Sequence, residues 1–181
     1  MRVCKRDACA TSMRAGVALG SNLGDPLENL REARQSIAQI PGVTSPILAS
    51  AIYETDPVDC EPGAPSFLNA VLEFGFDGDP VDLLPQLRKI EIAMGRPIDH
   101  VRNSSRKIDI DLLYGGETRI DRGQLQLPHP RMEKRRFVLE PLAEIRPGLT
   151  LPGQTKNIRE LLAALDSAEK VVRLTSDWGL P

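Results

Sequence analysis

Arg106-Lys107-Ile108-Asp109-Ile110-Asp111-Leu112-Leu113-Tyr114 alternates charged and apolar residues. A period of two belongs to a β-strand, whose successive side chains point to opposite faces. Ile108, Ile110 and Leu112 therefore share one face. Asp109 and Asp111 share the other, with Cα atoms roughly 6.5 Å apart. Two carboxylates held side by side on a rigid strand repel each other unless a cation sits between them. Magnesium prefers oxygen ligands and is the candidate. The competing reading is an amphipathic strand with a solvated acidic face.

Working outward, the segment before this strand, Arg96 to Lys107, is a basic loop with Arg96, Arg102, Arg106 and Lys107. Carboxylates that hold a metal beside guanidinium groups are what a polyphosphate requires: the metal bridges some oxygens and the arginines take others. A solvated run of charge is the alternative. Further upstream, Asp79-Pro80 opens a helix whose buried stripe reads as Val81, Leu84, Leu87, Ile90 and Met94, closed by Gly95. Glu91 falls in its last turn, against the helix dipole, and either serves the site or pairs with Arg88 or Lys89.

Phe67 to Phe74 reads as another strand, with Leu68, Ala70, Leu72 and Phe74 on its core face. Asn69 lies on the opposite face between Phe67 and Val71, where an amide can both donate to and accept from the edge of a heterocycle. A β-rich segment spans Val43 to Thr55, and a Pro-rich loop runs from Asp56 to Pro65. Gly16 to Gly20 is a short strand. The turn Ser21 to Asp25 follows, with a helix from Pro26 to Ile40. That turn either offers N–H groups to a phosphate or simply joins strand to helix. Downstream come a hairpin-like stretch after Gly116, His129 between two prolines, a charged segment from Arg131, an apolar helix around Phe137 to Leu142, and a last helix over 158–166. Trp178 reads as peripheral.

With 181 residues, one full-sized core is expected. Residues 1–14 read as a loose N-terminal tail, with Met13 as a second possible start, and 15–181 as one domain. The net charge of −2 argues against a general nucleic-acid grip, and no apolar run reaches a membrane span. Three cysteines without a CxxC suggest neither a disulfide framework nor a zinc site, which points to the cytoplasm.

Four blocks in order resemble one family: Leu19 to Asp25; Ile52 to Val58 with Phe67 to Val71; Arg106 to Leu113; and Leu127 to Arg131 with Arg135 to Leu139. They are similar to the 6-hydroxymethyl-7,8-dihydropterin pyrophosphokinases of folate biosynthesis, over roughly residues 15–155. The resemblance implies an α+β, ferredoxin-like fold, an antiparallel sheet with helices packed on it in α/β/α layers. It implies transfer of pyrophosphate from ATP to the pterin hydroxymethyl group, releasing AMP; a monomer is expected, although the sequence does not itself give the oligomeric state. By motif position, Asp109 and Asp111 would hold two magnesium ions. Arg96, Arg106, His129 and Arg135 would meet the phosphates, with Arg96 and Arg106 catalytic alongside the aspartates. Glu91, Leu112 and Leu125 would lie at the nucleoside. Asn69 would hydrogen-bond the pterin, Phe67 and Phe137 would face its ring, and Thr55 and Val58 would offer backbone groups.

The chain departs from the family pattern in the basic loop. Ile98 stands where a second arginine is usual, and Asn103, Ser104 and Ser105 replace an aromatic and a Gly-Pro. Two rivals need other signals: a phosphohydrolase or nuclease needs a water-positioning base, and an RNA-binding module needs a basic, aromatic sheet face.

Overall fold

The computed structural model describes residues 12–57, 63–96, 105–123 and 125–179. Strand β1 (Met13–Ser21) is longer than the one read from the sequence. Met13 and Arg14 pair with Phe76 and Gly75, so both belong to the sheet and not to a loose tail. Helix α1 (Pro26–Ala38) starts at the expected cap, with the Asp25 carboxylate accepting from the Glu28 amide at 3.1 Å. It buries Leu30, Ala33 and Ile37.

The β-rich segment divides into β2 (Val43–Ala49) and β3 (Ile52–Thr55). Both pair with β4 (Phe67–Phe76), β2 along Leu72 to Phe76 and β3 along Phe67 to Asn69. Because β1 takes the other edge of β4, β2 and β3 follow one another along a single edge. Backbone groups at the break are satisfied, as buried ones must be. Ser50 N donates to Val71 O, and Ala51 N donates to the Glu144 carboxylate at 2.8 Å. Ser50 O accepts from the Trp178 indole at 2.9 Å, and Ser50 Oγ accepts from Val71 N at 3.0 Å. Trp178 is therefore a core residue, 6 % exposed, and not peripheral. Its role comes from a contact 128 residues away, which local pattern does not carry.

Helix α2 (Pro80–Ala93) is capped by Asp79 as read, but its buried stripe is rotated. Pro80, Leu83, Leu87 and Glu91 are buried, while Val81 is 51 % exposed. Glu91 is tolerated inside because its carboxylate accepts from the Ile110 amide at 2.9 Å. A count of apolar residues alone skips it. Strand β5 (Asp109–Gly115) is followed by the hairpin β6 (Ile120–Arg122) and β7 (Leu125–Leu127). Then come a 3-10 turn at Met132–Lys134, α3 (Arg136–Ile145), α4 (Ile158–Ala164), and an unpredicted strand β8 (Val171–Thr175) paired with β3.

The main sheet is antiparallel and runs β5-β1-β4-β3-β8, with β2 on β4. With β2 and β3 counted as one broken strand, the elements from β1 to β5 form a β-α-β-β-α-β unit with β5 beside β1, the arrangement expected from the sequence. α1 and α2 cover one face, where Val17, Leu19, Leu72, Phe74, Ile108 and Ile110 meet Leu30, Ile37, Leu83 and Leu87. On the other face, Val71, Leu113 and Tyr114 pack with Val138, Leu139, Leu142 and Ile158 of α3 and α4. So β4 has two core faces, not one: Val71 and Glu73 are as buried as Leu72 and Phe74. Among the described residues, no helix is long and apolar enough to cross a membrane.

Register shifts in β5, which skips Leu113 between the partners of Gly16 and Val17. That bulge turns Leu113 and Tyr114 both toward α3. Gly16 makes room for it, because a Cβ there would overlap the Tyr114 ring. Tyr114 is buried and its hydroxyl donates to Glu73 at 2.7 Å, so the ring has nowhere to go. Gly16→Ala is expected to destabilise the protein by about 1–3 kcal/mol. Urea unfolding should show a lower midpoint at unchanged slope; an unchanged midpoint would refute the close approach.

Candidate active site

Three strands set the floor of the site through their register. Gly20 of β1 pairs with Asn69 of β4 on one side and Asp109 of β5 on the other. Two residues along, Ala18 pairs with Val71 and Asp111. On this face the order is thus amide, glycine, carboxylate, then valine, alanine, carboxylate. The middle strand carries almost no side chain, so a trough lies between Asn69 and the aspartates. A Cβ on Gly20 would sit 3.0 Å from Asn69 Oδ1. The trough opens into a cavity of about 280 Å³, whose walls include Thr55, Phe67, Asn69, Asp109, Asp111 and Phe137.

Asn69 is buried, and its Nδ2 donates to Thr55 Oγ1 at 2.7 Å. That bond orients the amide with its oxygen toward Gly20, where no donor among the described residues takes it. Phe137 carries the Arg135 guanidinium over one ring face, 5.3 Å from the centroid. Val58 lies outside the described residues, as do Ile98 and Asn103 to Ser104 of the atypical loop.

Both aspartates are partly buried, with side chains 26 % and 33 % exposed, and both already face guanidinium groups. Arg96 Nη1 is 2.7 Å from Asp109 Oδ1, Arg106 Nη1 3.2 Å from Asp109 Oδ2, and Arg135 Nη1 3.0 Å from Asp111 Oδ2. The Arg96 Nη1 is shared with Glu91, so Arg96 is a partner of that carboxylate that the sequence reading did not name. Burial raises the Glu91 pKa to about 7 despite the Ile110 amide and Arg96, which pull it down. Arg106 Nε is buried and meets no acceptor among the described residues, so it keeps a spare donor.

Other expected residues stand back from the cavity. Leu112 and Leu125 are buried in the core against α1 and α2. His129 is held by its own amide on Leu113 O at 2.7 Å, and its Nδ1 accepts weakly from the Arg131 amide at 3.3 Å. Burial lowers its pKa, so the imidazole is neutral near pH 7, with its proton assigned to Nε2.

In the Ser21–Asp25 turn the Asn22 amide is already engaged within the protein. Asn22 N donates to Arg106 O at 3.1 Å, and Asn22 Oδ1 accepts from Arg106 N at 2.8 Å. Asn22 Nδ2 also reaches Ser105 Oγ at 3.1 Å and Pro65 O at 3.4 Å. One buried amide thus ties the end of the first loop to the end of the basic loop. Sequence reasoning missed it, together with Arg131, Lys134 and Glu169, which also line the cavity. The available signal was the pair of cations three residues apart next to His129.

Two carboxylates on one strand face fit magnesium only in part. The ion usually takes one or two carboxylates and completes its shell with substrate phosphates and water. Among the described residues, no group of three or more His, Cys, Asp or Glu side chains is arranged to hold a metal. The donor set therefore suits a metal that arrives with a phosphorylated substrate.

The family model described as 7,8-dihydro-6-hydroxymethylpterin-pyrophosphokinase matches residues 16–147. The 2-amino-4-hydroxy-6-hydroxymethyldihydropteridine pyrophosphokinase of Pseudomonas aeruginosa is 39 % identical over 151 residues, covering 83 % of this chain and 91 % of that protein. Its counterpart in Bacillus subtilis is 44 % identical over 131 residues, covering 72 % and 77 %. A crystal structure of Plasmodium falciparum HPPK-DHPS with pteroate superposes with a TM-score of 0.64 at 15 % identity, a likeness of fold. It covers 87 % of this chain, which spans only 44 % of that longer one.

Proposed function

The chain belongs to the 7,8-dihydro-6-hydroxymethylpterin-pyrophosphokinase family, and we propose on that premise that it moves the terminal diphosphoryl group of ATP onto a pterin alcohol. The enzyme is a 2-amino-4-hydroxy-6-hydroxymethyldihydropteridine pyrophosphokinase of folate biosynthesis. The acceptor hydroxyl of 6-hydroxymethyl-7,8-dihydropterin attacks the β-phosphorus. An O–P bond forms there, the bond from the β-phosphorus to the α,β-bridging oxygen breaks, and AMP leaves with that oxygen. The hydroxyl proton passes to solvent or to a phosphate oxygen.

The observation that carries this reading is the row Asn69–Gly20–Asp109. A flat heterocycle held by Asn69 and Thr55 between Phe67 and Phe137 would project its hydroxymethyl across the bare Gly20 toward Asp109. Positioning of this kind supplies much of the rate in phosphoryl transfer. Magnesium, two ions held by Asp109 and Asp111 with the triphosphate, would neutralise charge on the phosphates. Arg96, Arg106 and Arg135 are the local counter-ions of these aspartates and exchange carboxylate for phosphate oxygens when the nucleotide enters. His129, neutral and carrying its proton on Nε2, is a donor for a phosphate oxygen. Glu91, Leu112 and Leu125 flank the nucleoside.

Incubation with ATP and magnesium, with and without the pterin, tests the reading. AMP should form only when the pterin is present, in step with a pterin diphosphate ester. AMP or ADP released equally without pterin would instead favour a hydrolase.

A further inference from the structure

Arg131 and Lys134 are cations of the cavity wall that the reading above does not use. They bracket a 3-10 turn, Met132–Lys134, with Lys134 N donating to Arg131 O at 3.1 Å. Residues three apart on such a turn project from the same side. Between them, Met132 is fully buried and pins the turn to the core, while Glu133 is turned away to Gln154. The next residue, Arg135, has extended backbone and reaches Asp111. Local geometry therefore sorts four consecutive charged side chains, Glu133 to Arg136, plus Arg131 into separate tasks.

Pairing separates these two cations from the other basic groups. Arg96, Arg106 and Arg135 are each matched to Asp109, Asp111 or Glu91. Arg131 and Lys134 are exposed and have no ion-pair partner among the described residues. Two further carboxylates line the cavity, Asp56 and Glu169. Glu169 is held by the Arg136 amide at 2.8 Å, at the start of α3, where negative charge is already favoured. Of the four cations that line the cavity, Arg106 and Arg135 are neutralised by Asp109 and Asp111, which leaves Arg131 and Lys134 as the two not engaged in an ion pair among the described residues. They share this cavity with Asn69 and Phe137 at the acceptor end, whereas Glu91, Leu112 and Leu125, on the nucleoside side, do not line it.

We propose that Arg131 and Lys134 bind the diphosphoryl group on the acceptor side, and so select the diphosphate ester of the pterin over the pterin alcohol. This rests on the transfer reading above. It predicts that their charge acts on the triphosphate before transfer and on the product ester after it, and leaves AMP and the alcohol alone.

Calorimetry with three probes tests it: 6-hydroxymethylpterin, its diphosphate ester, and AMP. The double variant R131Q/K134Q should bind the ester about ten- to a hundredfold more weakly than wild type, the range for charge-assisted hydrogen bonds. Its affinity for the alcohol and for AMP should stay within about twofold. Arg131→Lys with Lys134→Arg, which keeps both charges, should restore most of the ester affinity. The inference is overturned if the ester loses no more than about twofold in the double variant, or if the alcohol loses as much as the ester. A wild-type protein that binds neither pterin species overturns the transfer reading and this inference together, so the two failures are distinguishable.

Discussion

Asp109→Ala is expected to lower kcat by about a thousandfold or more, with the fold intact. Asp109 lies in the same pairing row as Gly20 and Asn69, nearest the acceptor, and its two oxygens are the ones Arg96 and Arg106 address. Removing it deletes half of the only paired carboxylates on this face of β5 and leaves two guanidinium groups facing each other. The fold should tolerate that. Arg96 retains Glu91, and Arg106 retains the backbone bonds between its amide and carbonyl and Asn22. Partly exposed ion pairs also contribute little to stability, about 1 kcal/mol or less. Asp109→Asn keeps the shape and removes the charge, so it should fall nearly as far as alanine. Asp111→Ala should fall comparably, because groups that act as a unit lose their effect together. Far-UV circular dichroism and pterin affinity should stay at wild-type levels, while affinity for ATP with magnesium drops. A D109A protein that keeps a tenth of the wild-type rate would show that the aspartates do not serve the reaction.

The reach of the sequence can be judged from particular residues. Asp109 and Asp111 were legible because a period of two puts alternate side chains on one face whatever the tertiary context. Asp25 and Asp79 were legible because a cap followed by proline is a local signal. Asn69 was visible as a polar residue among apolar ones, although not its bond to Thr55. What stayed hidden depends on register and on long-range contacts. The rows Asn69–Gly20–Asp109 and Val71–Ala18–Asp111 exist only once three strands are aligned. Trp178, Asn22 and β8 are defined by partners far away in sequence. Glu91 and Glu73 ran against expectation for another reason: a buried carboxylate is stable only with donors around it, and those donors come from other elements.

Glu73 supplies the second large effect, on stability and not on turnover. Its side chain, 2 % exposed, faces α3 from the middle of β4. Four side-chain groups converge on it: Arg14 Nε at 2.9 Å, Arg146 Nε at 2.8 Å and Nη2 at 2.5 Å, and the Tyr114 hydroxyl at 2.7 Å. These ties join β1, β4, β5 and the end of α3. Glu73→Ala should therefore cost about 3 kcal/mol. The arginines, 29 % and 40 % exposed, can turn to water, which lowers the cost. Tyr114 cannot, and its buried hydroxyl is left without an acceptor. Glu73→Gln keeps an acceptor and should cost roughly half as much. The pH dependence follows from the same geometry. Burial alone would raise the Glu73 pKa, but the donors from Arg146, Tyr114 and Arg14 outweigh it and hold the group below the ordinary carboxylate value. A depressed folded-state pKa contributes stability that is complete above the unfolded value and is lost as pH falls through the folded one. The gap between wild type and Glu73→Ala in urea unfolding should thus be widest near pH 7 and shrink below about pH 4. Turnover per folded molecule should hold, since Glu73 lies roughly 13 Å along β4 from Asn69. Equal gaps at both pH values would mean that packing, not ionisation, carries the contribution of Glu73.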